Sequence, residues 1–196
     1  MSEMKSAFER AMERAESLGK ASEEDLKKWK YAPEGEKLAA LHLKDECDLV
    51  TELGRYDDDA RRYLGESAQG VLVRNISLPR NEVAKKTNRK AMEAIKELKR
   101  DKVGVENVYT KLRRVFNHYE QEGEQQRRQA YETVKRDVEA KMQQAIQQQT
   151  GLPAQMKIDV ESQPQFQQEW RRALVQFESQ YLKLIDEFKQ ELLSIP

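Results

Sequence analysis

The two histidines, His42 and His118, each have a glutamate four residues further on, Glu46 and Glu122. On a helix that spacing sets both side chains on one face. Such a pair could share a proton or offer two ligands to a cation, but two ligands do not make a metal site. Cys47 stands five residues after His42, which on a helix takes it off that face and argues against a Cys-His nucleophile. Asp57, Asp58 and Asp59 are consecutive rather than spaced as in a calcium-binding loop. Arg61 and Arg62 follow Asp57 and Asp58 by four residues, the favoured order for surface ion pairs on a helix. The chain carries no glycine-rich phosphate loop, serine nucleophile elbow, paired-cysteine zinc motif or Glu-x-x-His motif of the di-iron kind. The expectation is a protein that is not an enzyme, with no catalytic residues, no metal ligands and no cofactor.

Charge gives the other candidate chemistry. The whole chain is balanced, with 35 Lys and Arg against 35 Asp and Glu, so no overall field favours nucleic acid or an anionic membrane. Residues 67–102 are the exception, with 10 basic side chains against 4 acidic ones. Arg74, Arg80, Lys85, Lys86, Arg89 and Lys90 head this block and are the candidate contacts to nucleic acid or another anion. No aromatic residue falls between 74 and 102, so the stacking expected of a single-strand binder is missing. Glutamine dominates a second stretch, with Gln143, Gln144, Gln147, Gln148 and Gln149 before a loop and Gln163, Gln165, Gln167 and Gln168 after it. Its amides suit an exposed helix face or a self-associating surface.

The elements that must position these groups are helices throughout. From Ala91 the seam positions advance in alternating steps of four and three through Ile95, Leu98, Lys102, Val105, Tyr109, Leu112, Phe116 and Tyr119. Asn81 can cap that pattern and Gly151 and Pro153 end it, which predicts one very long helix over 81–149. Lys102, Gly104, Gly123 and Gln126 interrupt its seam, so a bend or break is expected near Gly104 or Gly123. A second helix is predicted over 33–74, with Pro33 in its first turn and Gly54 as a kink or break. A third is predicted over 164–195, where Trp170 and Phe177 lie on a broad apolar stripe. Folding it back through a symmetric loop places Trp170 near Met142, Phe177 near Tyr131 and Ile195 near Phe116. Two short N-terminal helices fill 1–31, the second capped by Ser22 with Asp25 and carrying Trp29 as a core anchor.

The fold class read from this pattern is all-α: an elongated antiparallel helical bundle or coiled-coil rod, a single domain over 1–196. Tyr109, Leu112, Phe116 and Tyr119 make its stable waist. One cysteine excludes an internal disulfide and suits a reducing, cytoplasmic setting, and no run of apolar residues is long enough to span a membrane. A helical scaffold or adaptor is the expected function, acting through a protein partner or as a homo-oligomer. The alternative is a nucleic-acid or anion binder acting through 74–102.

Overall fold

The computed structural model describes residues 22–150 and 159–196. All secondary structure among them is helical, and the chain divides into two compact units, Met1–Leu72 and Val73–Pro196. The first helix expected within 1–31 lies outside the described residues.

In the first unit, α1 (Glu23–Leu43) opens on the expected capping box: the Asp25 amide donates to Ser22 Oγ at 3.1 Å and the Ser22 amide to Asp25 Oδ2 at 3.2 Å. It does not stop before Pro33, as expected, but runs through it. Pro33 and Trp29 both face solvent, so the carbonyl that loses its proline-blocked bond is open to water. The helix ends where Asp45 turns left-handed, at φ 66°, a conformation an aspartate side chain tolerates. The single helix expected over 33–74 is in fact three pieces, because two aspartates restart it. Asp48 Oδ1 accepts the Thr51 amide and opens α2 (Leu49–Leu53), and Asp57 Oδ1 accepts the Ala60 amide and opens α3 (Asp58–Asn75), both at 2.8 Å. Gly54 closes α2, as its position predicted.

The core of this unit is Leu38, Ala39, Leu49, Leu53, Ala60, Tyr63, Leu64 and Ala68. α1 and α3 pack closely at Gly35, where an added Cβ would press into Ser67 Oγ and the Leu64 carbonyl oxygen. One turn back, Tyr31 stacks on Tyr63 at 6.3 Å between ring centroids. Trp29 was expected in the core, yet it is 68% exposed. Its helix buries the side that holds Gly35, Leu38 and Ala39 instead.

In the second unit, the long helix expected over 81–149 is interrupted twice, giving α4 (Glu82–Leu98), α5 (Lys102–Glu120) and α6 (Glu122–Thr150). The first break falls beside Gly104, within the expected region. Asp101 caps the new helix through the Gly104 amide at 2.9 Å, and the exposed amides of Arg100 and Asp101 donate to the Pro196 carbonyl oxygen. Lys99 is buried there, with its ammonium on the carbonyls of Leu193 and Ile195. The second break, at Gln121, is two residues before Gly123. The last helix, α7 (Pro164–Ser194), packs along both α5 and α6.

The register of α7 is displaced from the expected one: Phe177 meets Tyr119 rather than Tyr131, and Ile195 reaches Lys99 rather than Phe116. The loop is not symmetric. Val160 is buried with Val138 and Phe166, and Lys135 pairs with Glu161 at 2.5 Å, so the returning chain runs back along α6 before α7 begins. Trp170 joins this cluster edge-on to Tyr131 at 5.2 Å. Trp170 and Phe177 are half-buried rather than fully enclosed, whereas Tyr109, Leu112, Phe116 and Tyr119 are buried as expected.

Candidate functional site

Three side chains of the basic block, Arg80, Lys85 and Lys96, are paired with carboxylates from elsewhere in the chain. Arg80 makes a two-pronged bond to Glu178, Nε to Oε1 at 2.9 Å and Nη2 to Oε2 at 2.5 Å. Lys85 contacts Glu120 at 2.6 Å and Glu82 at 2.8 Å, and these carboxylates, Glu120 first, hold its ammonium above its ordinary range. Lys96 pairs with Glu106 at 2.7 Å, and Arg113 reaches the other oxygen of the same carboxylate. Arg74, Lys86 and Lys90 also have interaction partners. Arg89 is exposed and makes no ion pair or hydrogen bond among the described residues. It stands at the mouth of a pocket of about 430 Å³ between α4 and α5, over Met92, Tyr109 and Phe116. Of the sequence-predicted cations, Lys85, Lys86, Arg89 and Lys90 share α4, whereas Arg74 lies in α3 and Arg80 in the turn between them, and Arg80 and Lys85 are matched by carboxylates within the fold.

Glu178 is the functional-looking group that sequence reasoning missed. Its side chain is only 8% exposed and sits where α5 gives way to α6. Arg80 and the Tyr119 hydroxyl, which donates to Oε1 at 2.6 Å, hold it below the usual carboxylate range. Arg127 lies 4.1 Å over the Tyr119 ring and donates to the Tyr119 carbonyl oxygen at 3.2 Å. Nearby, His118 Nδ1 and the Tyr181 hydroxyl are 2.8 Å apart, and His118 Nε2 lies 2.7 Å from Glu122. The His118–Glu122 pair read from the sequence is therefore formed, as part of a helix-to-helix tie. The only available signal for Glu178 was an acid on the buried line of α7, in step with Leu174, Tyr181 and Ile185.

In this contact Glu178 and Tyr119 are both moved away from neutrality. Glu178 is held ionised, and burial, followed by the bond to Glu178, pushes the Tyr119 phenol up to about 12. Tyr109, buried with its hydroxyl on the Met92 carbonyl oxygen at 2.6 Å, is raised as well. A raised phenol stabilises the fold below the unfolded tyrosine value and loses that contribution as pH rises through the folded one. Ultraviolet titration of the seven tyrosines is therefore expected to show Tyr109 and Tyr119 ionising last, with unfolding setting in as pH climbs from about 10 towards 12. The stability difference between wild type and Tyr119→Phe should shrink as pH rises from about 10 towards 12.

Elsewhere, Asn88 clamps the turn before α4, its Oδ1 accepting the Ser77 amide at 2.9 Å and its Nδ2 donating to the Ser77 carbonyl oxygen at 2.7 Å. The aspartate run is dispersed among local bonds: Asp57 caps α3, Asp58 pairs with Arg61 at 3.3 Å and Asp59 with Lys27 at 2.5 Å, so the expected spacing of four is replaced by other partners. Among the described residues no three His, Cys, Asp or Glu side chains converge as metal ligands, and no helix is long and apolar enough to cross a membrane. Val175, Leu182 and Leu193 of α7 are large apolar side chains left exposed.

Residues 50–194, from α2 through the end of α7, match the model of a family of unknown function, DUF6657. The chain belongs to that family. Comparison with curated proteins and with solved structures found no match.

Proposed function

We propose that this chain is a non-catalytic helical scaffold or adaptor that works through protein–protein contact, with self-association as the favoured form, in the reducing cytoplasm. The observation that supports this reading is the contrast between two surfaces: Arg80, Lys85 and Lys96 of the basic block are each paired with a carboxylate of the same chain, while α7 leaves Val175, Leu182 and Leu193 in water. Apolar surface is what association can cover, and charge already matched within the fold gives little to a phosphate backbone. The one thiol, Cys47, donates to the Leu38 carbonyl oxygen at 3.5 Å and is raised by burial, as suits a structural cysteine.

The second reading, an anion or nucleic-acid binder, rests on Arg89 at the pocket mouth. Fluorescence anisotropy with labelled single- and double-stranded DNA and RNA separates the two. At roughly 150 mM salt the expected result is at most non-specific binding, with dissociation constants of about 10⁻⁴ M or weaker. Micromolar binding that falls steeply with salt and is abolished by reversing Arg89 with Lys85, Lys86 and Lys90 would favour the second reading.

A further inference from the structure

Four side chains on α7 lie along one solvent-facing line: Pro164, Val175, Leu182 and Leu193, all exposed. The steps between them are eleven, seven and eleven residues, and at 3.6 residues per turn each step returns to within about 20° of the same direction. The pattern reads the same from either end. Its midpoint falls between Glu178 and Ser179, at the centre of the helix.

A helix face with that symmetry is its own complement under a two-fold axis, since a two-fold interface requires residue i to meet j and j to meet i. We infer that the outer face of α7 is an antiparallel contact to a second copy of this chain, centred on Val175 and Leu182. Val175 then packs on Leu182 of the second copy, and the reverse contact follows from the axis. Pro164 meets Leu193 at both ends. Between these apolar levels Arg171 stands opposite Asp186, and Gln168 opposite Lys189, so no level opposes like charges. Arg171 has no ion pair within its own chain among the described residues, and Asp186 has Lys189 at 3.6 Å there. The apolar layers supply the burial, and the Arg171–Asp186 level fixes direction, since a parallel pairing would set Arg171 against Arg171.

This inference rests on the self-association reading and adds the surface and register to it. The test is molar mass over a concentration series, by light scattering or sedimentation equilibrium, on the full chain. Wild type is expected to approach twice 23.0 kDa. Leu182→Glu, at an exposed position, should weaken dimerisation roughly thirtyfold or more while leaving helicity unchanged. Arg171→Asp should weaken it about tenfold, and adding Asp186→Arg should bring it back to within about threefold of wild type. A dimer indifferent to Leu182→Glu and to the charge reversal would overturn the α7 interface and leave self-association standing through another face. A chain of 23.0 kDa at every concentration would overturn both.

Discussion

Glu178→Ala is expected to cost about 3 kcal/mol of stability at neutral pH, near the low end for breaking a buried ion pair. The substitution removes the acceptor of three bonds, two from Arg80 and one from the Tyr119 hydroxyl. Tyr119 is 3% exposed, so its hydroxyl would be left without a partner in a place water barely reaches. Arg80 is about half exposed and can be rehydrated, which keeps the figure low. Denaturant unfolding of Glu178→Ala against wild type gives the number, and Glu178→Gln should recover part of it by accepting the phenol. The pH dependence follows from the sign of the shift. A carboxylate held low contributes its stability above the unfolded glutamate value and loses it as pH falls through the lower, folded one. The gap between wild type and Glu178→Gln should therefore be full above about pH 5 and close progressively in more acid solution.

The second large effect is at Gly35. In an exposed helix, glycine to alanine is stabilising by about 1 kcal/mol, because alanine restricts the unfolded chain and suits the helix. At Gly35 a net loss of about 2 kcal/mol is expected instead, since the new methyl would sit 2.9 Å from the Leu64 Cα as well as against its carbonyl. Ser67 Oγ can rotate aside, but the α3 backbone moves only by separating the two helices. Gly70→Ala is the internal comparison: a Cβ there meets nothing within 4 Å, so it should stabilise by about 0.5–1 kcal/mol. Thermal or denaturant melts of the two variants should move in opposite directions.

How much of this could be read beforehand depended on the range of the forces involved. Periodicity located the all-helical class and the buried run Tyr109 to Tyr119, and the Ser22–Asp25 capping pair located the start of α1, because each is set by neighbours within a turn or two. The breaks were only partly visible. Gly54 and Gly104 marked two of them, but Asp48 and Asp57 end the run expected over 33–74 through a single carboxylate-to-amide bond, and an aspartate on an otherwise helical face reads as a surface charge. The register of α7 was misread because it depends on Val160 being buried against α6, a tertiary fact. Trp29 was misplaced for a similar reason: aromatic size argues for burial, but which side of α1 faces α3 is decided by the close approach at Gly35. Glu178 showed an anomaly, an acid on a buried stripe, without showing that Arg80, far back in the chain, would answer it. The composition of the basic block was legible in the sequence, while the pairing of Arg80, Lys85 and Lys96 with Glu178, Glu120 and Glu106 could come only from tertiary packing.

The central claim is that this chain acts by covering an apolar helix face with another protein surface, first of all its own. Molar mass measured across a concentration series tests it most directly. The predicted result is a rise from 23.0 kDa towards twice that value, reversed by Leu182→Glu at unchanged helicity. A constant 23.0 kDa, together with tight and salt-sensitive binding of nucleic acid, would contradict it.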